Sequence, residues 1–384
     1  MKKLLSYFLC ILIFAGSCKE KFIADIESPA TGYLVVEGFI NSGTEPTIIK
    51  LSRSVRLVDS VNVIPEHSAQ VMIESESGVV SPLTQTGEGV YTSGNLTLST
   101  GEKYHLRIIT QAGKEYVSDP VSMKRTPEID SISWTRRPDG VRIYVSTHDA
   151  QDATRYYKWD FTETWEFHSA YYSSLLYSYD SLFVPIGVYY RNQDQSVDTT
   201  IYKCWNTVGS TNINLGSSEK LSENRIYLPL IKIDPASIKL SVLYSVEVRQ
   251  YALSQDAYVF YQKIKKNTEN VGTIFDAQPS DIQGNIHCVS DPSEIVIGFV
   301  DISEMKKQRL FIDNRELPDW SYRQRCFQFE ILIDSIRTHA GGTFPTVPTR
   351  LGPFNSILAW NATPELTCID CTLTGTNVRP PFWP

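Results

Sequence analysis

Cys18 follows Ala15, Gly16 and Ser17 at the end of an apolar run, "LLSYFLCILIFAG", which Lys2 and Lys3 precede. Basic, apolar and small-residue regions in that order make a secretory signal. A thiol placed directly after the small residues is the chemistry of a bacterial lipobox, in which cleavage leaves the cysteine as the new terminus to carry lipid. The apolar run is shorter than the roughly 20 residues a membrane span needs. Several acyl chains on one residue, at about 0.8 kcal/mol per buried CH₂, hold a protein on a bilayer where one chain does so only marginally. The expectation is a signal peptide over 1–17, a tether over 18–29 and membrane attachment through Cys18. Lys19 and Glu20 follow, with no aspartate at that position to hold a lipoprotein at an inner membrane. The expected address is therefore the outer membrane, with exposure at the cell surface left open.

Of seven cysteines, Cys10 leaves with the signal and Cys18 is the lipid site. Cys204, Cys288, Cys326, Cys368 and Cys371 remain, an odd set that predicts two bridges and one spare thiol in an oxidising compartment. "TCIDC" holds a C-x-x-C that could be a redox dithiol, half a zinc site or part of structural bridging. A zinc ribbon needs a second such pair, which is missing. Bridging is the expectation, with Cys326 as the long-range partner.

The six histidines, His67, His105, His148, His168, His287 and His339, are scattered. H-E-x-x-H, G-x-S-x-G, P-loop and dinucleotide patterns are missing, so no catalytic residue, metal, cofactor or enzyme activity is expected. Asp149 and Asp152 could offer carboxylates to calcium, but lack calcium-loop spacing and read as solvated turn acids. Asp-Ser/Thr-aliphatic tripeptides place Ser60, Ser131, Ser181, Thr199 and Ser335 as glycosylation candidates, where composition alone would give about one or two.

Losing Lys2 and Lys3 with the signal, and no acid, takes the formal charge from -7 to -9. That balance speaks against nucleic acid as a partner.

These residues need elements to hold them. From Tyr33, β-branched runs such as "YLVVEGFI", "AQVMIES" and "KYHLRIIT" alternate with turns at a spacing that suits an immunoglobulin-like β-sandwich over 30–124. "KRTPEID" reads as a linker, because Pro127 cannot join a central ladder. A second, larger β-rich domain is expected over 125–384, the fold class being mainly β. In "RYYKWDFTETWEF", Tyr157, Trp159, Phe161, Trp165 and Phe167 share one parity, which predicts a strand with an aromatic core face. Glu163 interrupts that face, so either two strands meet there or one carboxylate lies on apolar surface. Tyr171, Tyr172, Tyr177 and Tyr179 follow without such order and are candidates for ligand contact on an exposed loop. A helix is predicted near 255–271, capped by Ser254 and ended by Gly272. From Gly341 onward, "GGTFPTVPTRLGPFN" reads as irregular chain held by bridges.

"LVVEG" at 34–38, "GNI" at 284–286, "GFVDIS" at 298–303, "CIDC" at 368–371 and "RPPFW" at 379–383 together resemble the Bacteroidota lipoproteins grouped as domain of unknown function 4249. The resemblance implies an outer-membrane lipoprotein often accompanied by a TonB-dependent receptor, with no established activity and no catalytic residues to carry over. The reading that follows is a non-enzymatic accessory, binding or gating, of such a receptor. A structural or adhesive surface lipoprotein is the alternative, and a hydrolase without a recognisable motif a remote one.

Overall fold

The computed structural model describes residues 32–55, 63–269 and 284–384. The signal, the tether with Cys18, Ser60 and Gly272 lie outside them. The fold is mainly β.

The first body is a sandwich made from one folded sheet of 12 strands. Its corner is Val80–Gly87, whose first half pairs with Gln70–Ser75 and whose second half pairs with Val90–Thr92. A strand that switches layers lets one sheet cover both sides of a core. Leu34, Val36, Ile49 and Leu51 from one layer meet Val71, Ile73, Leu106 and Tyr116 from the other. Their alternation along each strand is the period-two pattern that burial of one face requires.

The first body is not continuous in sequence. The sequence pattern puts residues 125–384 in a separate domain, but Ile286–Cys288 pairs with Glu115–Ser118. Ile297–Gly298 and Ile302–Ser303 then run parallel to Leu34–Asn41. Segments of two or three residues carry too little periodicity to be placed by pattern, which is why the return was hidden.

The second body is another sandwich. The long strand Tyr156–His168 has 13 residues and pairs with Lys203–Gly209, Asn214–Ser217 and Leu243–Ala252. Its odd-numbered aromatic side chains face Val141, Ile143 and Val145 of a three-stranded sheet, so the aromatic face is core. Glu163 sits on that face within one continuous strand. Its carboxylate accepts the Tyr244 hydroxyl at 2.7 Å and the Lys239 ammonium at 2.7 Å. A buried carboxylate must be paired in this way.

The helix Gln255–Glu269 lies between the two sandwiches. Ser254 caps it, its Oγ accepting from the Ala257 N–H at 3.2 Å. Ala257, Phe260, Tyr261 and Ile264 form the stripe that packs on Phe39 and Phe299 of the first body.

A third, smaller core sits beyond the second sandwich. The hairpin Leu175–Tyr179 with Pro185–Tyr190 packs Leu175 and Tyr177 against Ile331, Ile336 and Trp360. The "GGTFPTVPTRLGPFN" stretch is regular after all: Phe344–Leu351 pairs with Ile357–Thr363, which also pairs with Phe329–Leu332. Pro345 and Pro348 hid it, since they are tolerated only because this is an edge strand with register shifts. The expected single second domain thus contains two cores.

Cys204 is bridged to Cys371 and Cys326 to Cys368, leaving Cys288 free and buried in the first body. Both bridges lie at the far end of the second sandwich and in the tail that leaves the third core. Each removes unfolded-state entropy worth about 2–4 kcal/mol. Reduction is therefore expected to speed amide exchange over residues 169–210 and 320–384 while the first body keeps its protection. Equal loosening of both, followed by mass spectrometry, would contradict this arrangement.

Candidate functional site

The tyrosine-rich region forms the third body's hairpin, and the structure divides its four candidates. Tyr177 is buried, and its oxygen accepts the Trp360 indole N–H at 3.0 Å and lies 3.1 Å from Thr343 Oγ1. Burial pushes its phenol up. Tyr171 is occupied as well: its hydroxyl donates to the Cys326 carbonyl at 2.9 Å and its N–H to the Cys368 carbonyl at 3.0 Å. These two are withdrawn as ligand contacts, because both hydroxyls serve packing. Tyr172 and Tyr179 are exposed, Tyr172 stacking on Tyr202 with centroids 3.7 Å apart.

The loop joining the hairpin strands presents what pattern reading missed. Asp180 Oδ1 accepts from the N–H groups of Leu182 and Val184 at 2.9 and 3.0 Å, fixing the turn. The Val184 N–H first, and that of Leu182 with it, hold the Asp180 carboxyl below its ordinary range. Leu182 and Phe183 then stand 79% and 85% exposed. Phe183 has φ 58°, in the left-handed region that a bulky residue rarely enters. The turn between Phe344–Leu351 and Ile357–Thr363 repeats the device. Gly352 N–H donates to Ser356 O at 2.8 Å, Phe354 has φ 57°, and its ring is fully exposed. Such conformations cost on the order of 1–3 kcal/mol each.

Ser131, Ser181 and Thr199 are exposed, whereas Ser335 is half-buried with its hydroxyl donating to Leu332 O at 3.0 Å. Histidines are not brought together: His105 contacts Glu74, His148 contacts Asp130, His168 contacts Glu166 and His287 contacts Asp119. Asp149 is spent on the backbone N–H groups of Gln151, Ala153 and Thr154. Among the described residues no group of three His, Cys, Asp or Glu is placed to hold a metal, and no helix is long and apolar enough to cross a membrane.

A family model described as Domain of unknown function (DUF4249) matches residues 19–309. The chain belongs to that family. The match ends before "CIDC" and "RPPFW". No curated protein matches the chain. Among solved structures, one described as "Complete structure of manganese lipoxygenase of Gaeumannomyces graminis and partial structure of zonadhesin of Komagataella pastoris" is similar at 9% identity and a TM-score of 0.16. It covers 59% of this chain and 90% of that chain. A likeness that slight carries no argument.

Within the DUF4249 match, the quoted stretches meet at the junction of the first body with the helix. A Cβ on Gly298 would lie 2.5 Å from Val36 O and 2.9 Å from Val36 Cβ, so only glycine lets the parallel strand approach. Asn285 clamps that approach, exchanging two hydrogen bonds of 2.8 Å with Val300. Asp301 is buried and accepts the Ser254 N–H at 2.7 Å, just where the helix begins. Burial raises its carboxyl above the ordinary range against the pull of that bond.

The later stretches meet at the far end of the long strand. Trp383 donates its indole N–H to Glu166 Oε2 at 3.0 Å and packs edge-on against Trp205 and Phe311. Glu166 Oε1 also meets His168 and Lys203, each at 3.0 Å. Burial works to raise this carboxyl, but His168, Lys203 and Trp383 outweigh it and hold it below its usual range.

Two outcomes are expected. Gly298→Ala should cost about 1–3 kcal/mol by overpacking, read as a lowered melting temperature and faster exchange at Leu34–Asn41. Because Glu166 titrates lower when folded than unfolded, its contribution is complete above the ordinary carboxylate range and is lost as pH falls through the folded value. The indole N–H resonance of Trp383 should therefore move on acidification, and Glu166→Gln should abolish that step; a step that survives in the variant assigns it elsewhere.

Proposed function

We propose that this chain is a non-enzymatic lipoprotein, attached to the outer membrane through Cys18, that serves as a binding or gating accessory of a TonB-dependent receptor. The lipobox and the family resemblance support the address. The observation that carries the partner is the pair of phenylalanines at the two hairpin tips of the third body. An apolar ring held in water on strained backbone stabilises nothing within the chain. Burying it against a partner returns about 1.5–3 kcal/mol per side chain. The Asp180 turn orders one tip beforehand, which lowers the entropy cost of docking.

Placement supports the same reading. The described chain starts at Gly32, and Leu34–Asn41 runs from there toward the helix junction. The long strand then leads from Tyr156 at that junction to His168 beside the third body. The tips thus stand on the body at the opposite end of that series from Gly32.

Mild-detergent affinity purification from outer membranes is expected to recover a TonB-dependent receptor in near-equal amount. Phe183→Gly with Phe354→Gly should abolish that recovery without loss of stability, since glycine relieves the left-handed strain at both sites. Recovery of the lipoprotein alone, from wild type and variant alike, would overturn the receptor reading in favour of a structural or adhesive surface role.

A further inference from the structure

A cleft of about 370 Å³ opens at the junction, on the side of the helix away from the first body. One wall is the helix stripe Gln255, Tyr258, Val259 and Gln262, spaced i, i+3, i+4, i+7. The other is Tyr156 at the start of the long strand with the turn residues Glu219 and Lys220. Tyr156 and Tyr258 meet at the base, centroids 4.9 Å apart and planes tilted by 39°, so they form a corner rather than a flat stack. Glu219 lies near the Tyr156 hydroxyl and raises its phenol, and Gln262 lies near that of Tyr258, whose phenol burial raises.

The chemistry of the lining selects a ligand class. Glu219 and Lys220 cancel in charge, which leaves no net attraction for an anion. A lone carboxylate beside a lysine is no cation site. Two primary amides each offer paired donors and an acceptor, a geometry that reads neighbouring hydroxyl groups. Ring faces and the exposed Val259 give apolar contact for C–H surfaces. The volume lies at the small end of the range for ligand sites.

We infer that this cleft binds a neutral sugar of one or two residues. The inference gives a ligand to the accessory proposed above and rests on that reading for its physiological role, but its measurement needs only the isolated lipoprotein. Binding would also tighten the junction, since the helix that forms one wall packs Phe260 on Phe299 of the first body, centroids 5.5 Å apart.

The test is calorimetric titration of the detergent-solubilised full chain with maltose, cellobiose and N,N′-diacetylchitobiose. At least one should bind saturably, and Gln255→Ala with Gln262→Ala, both on the exposed helix face, should weaken it about tenfold or more, the loss of one or two hydrogen bonds. Tyr258→Ala should do the same if the chain keeps its melting profile. Absence of saturable binding by all three sugars overturns the inference, as does binding that the glutamine variant leaves unchanged. Phe183→Gly with Phe354→Gly should abolish receptor recovery and leave sugar binding intact; a wild type that binds sugar but recovers no receptor would sink the partner reading alone.

Discussion

Two short parallel pairings, Val35 with Ile297 and Ile40 with Ile302, decide how the rest of the molecule is arranged. Through them the chain, having built most of a second sandwich, comes back to complete the first. The backbone crosses the junction at Thr126–Pro127, at Leu253–Ser254 and again after Ser303. Each crossing is pinned by a polar contact: Thr126 Oγ1 accepts the Ala252 N–H at 3.2 Å at the first, Asp301 takes the Ser254 N–H at the second, and Asn41 Oδ1 accepts the Met305 N–H at 2.9 Å at the third. Because unpaired groups there would cost the full desolvation penalty, the junction holds one geometry. The cleft inherits that geometry, since one of its walls is the helix that Asp301 starts.

The far end is held by different means. Glu166 gathers His168, Lys203 and the Trp383 indole, and the two bridges attach the tail to Cys204 and to the loop at Cys326. The third body is small, with a core of few large side chains, and a core that size is marginal without staples. Covalent and ionic ties let it carry apolar, strained tips that a larger hydrophobic core would otherwise have to offset.

Legibility in the sequence followed the length of the pattern. The long aromatic strand, the capped helix and the early sandwich strands were readable because period and burial agree over many residues. The return segment was not, being strands of two and three residues whose identity lies in Gly298 and Asn285 rather than in alternation. The prolines of Phe344–Leu351 argued against a strand that exists because it lies on an edge. Of the tyrosines, Tyr172 and Tyr179 are exposed, and Tyr171 and Tyr177 are not separable from them by pattern, since only tertiary contacts decide which hydroxyl is used. Leu182, Phe183 and Phe354 carry no sequence signal beyond standing next to turn residues. The cleft is invisible for the same reason, joining residues 156, 219 and 255–262 from three separate stretches.

The strand Leu34–Asn41 leads from Gly32 straight to the junction, with Ile48–Arg53 antiparallel on one side and the returning segments parallel on the other. A pull on Gly32 along that strand loads its flanking hydrogen bonds together in shear instead of unzipping them one at a time. At Gly32 the first sandwich thus meets tension as a cleat meets a mooring line, across several bonds at once.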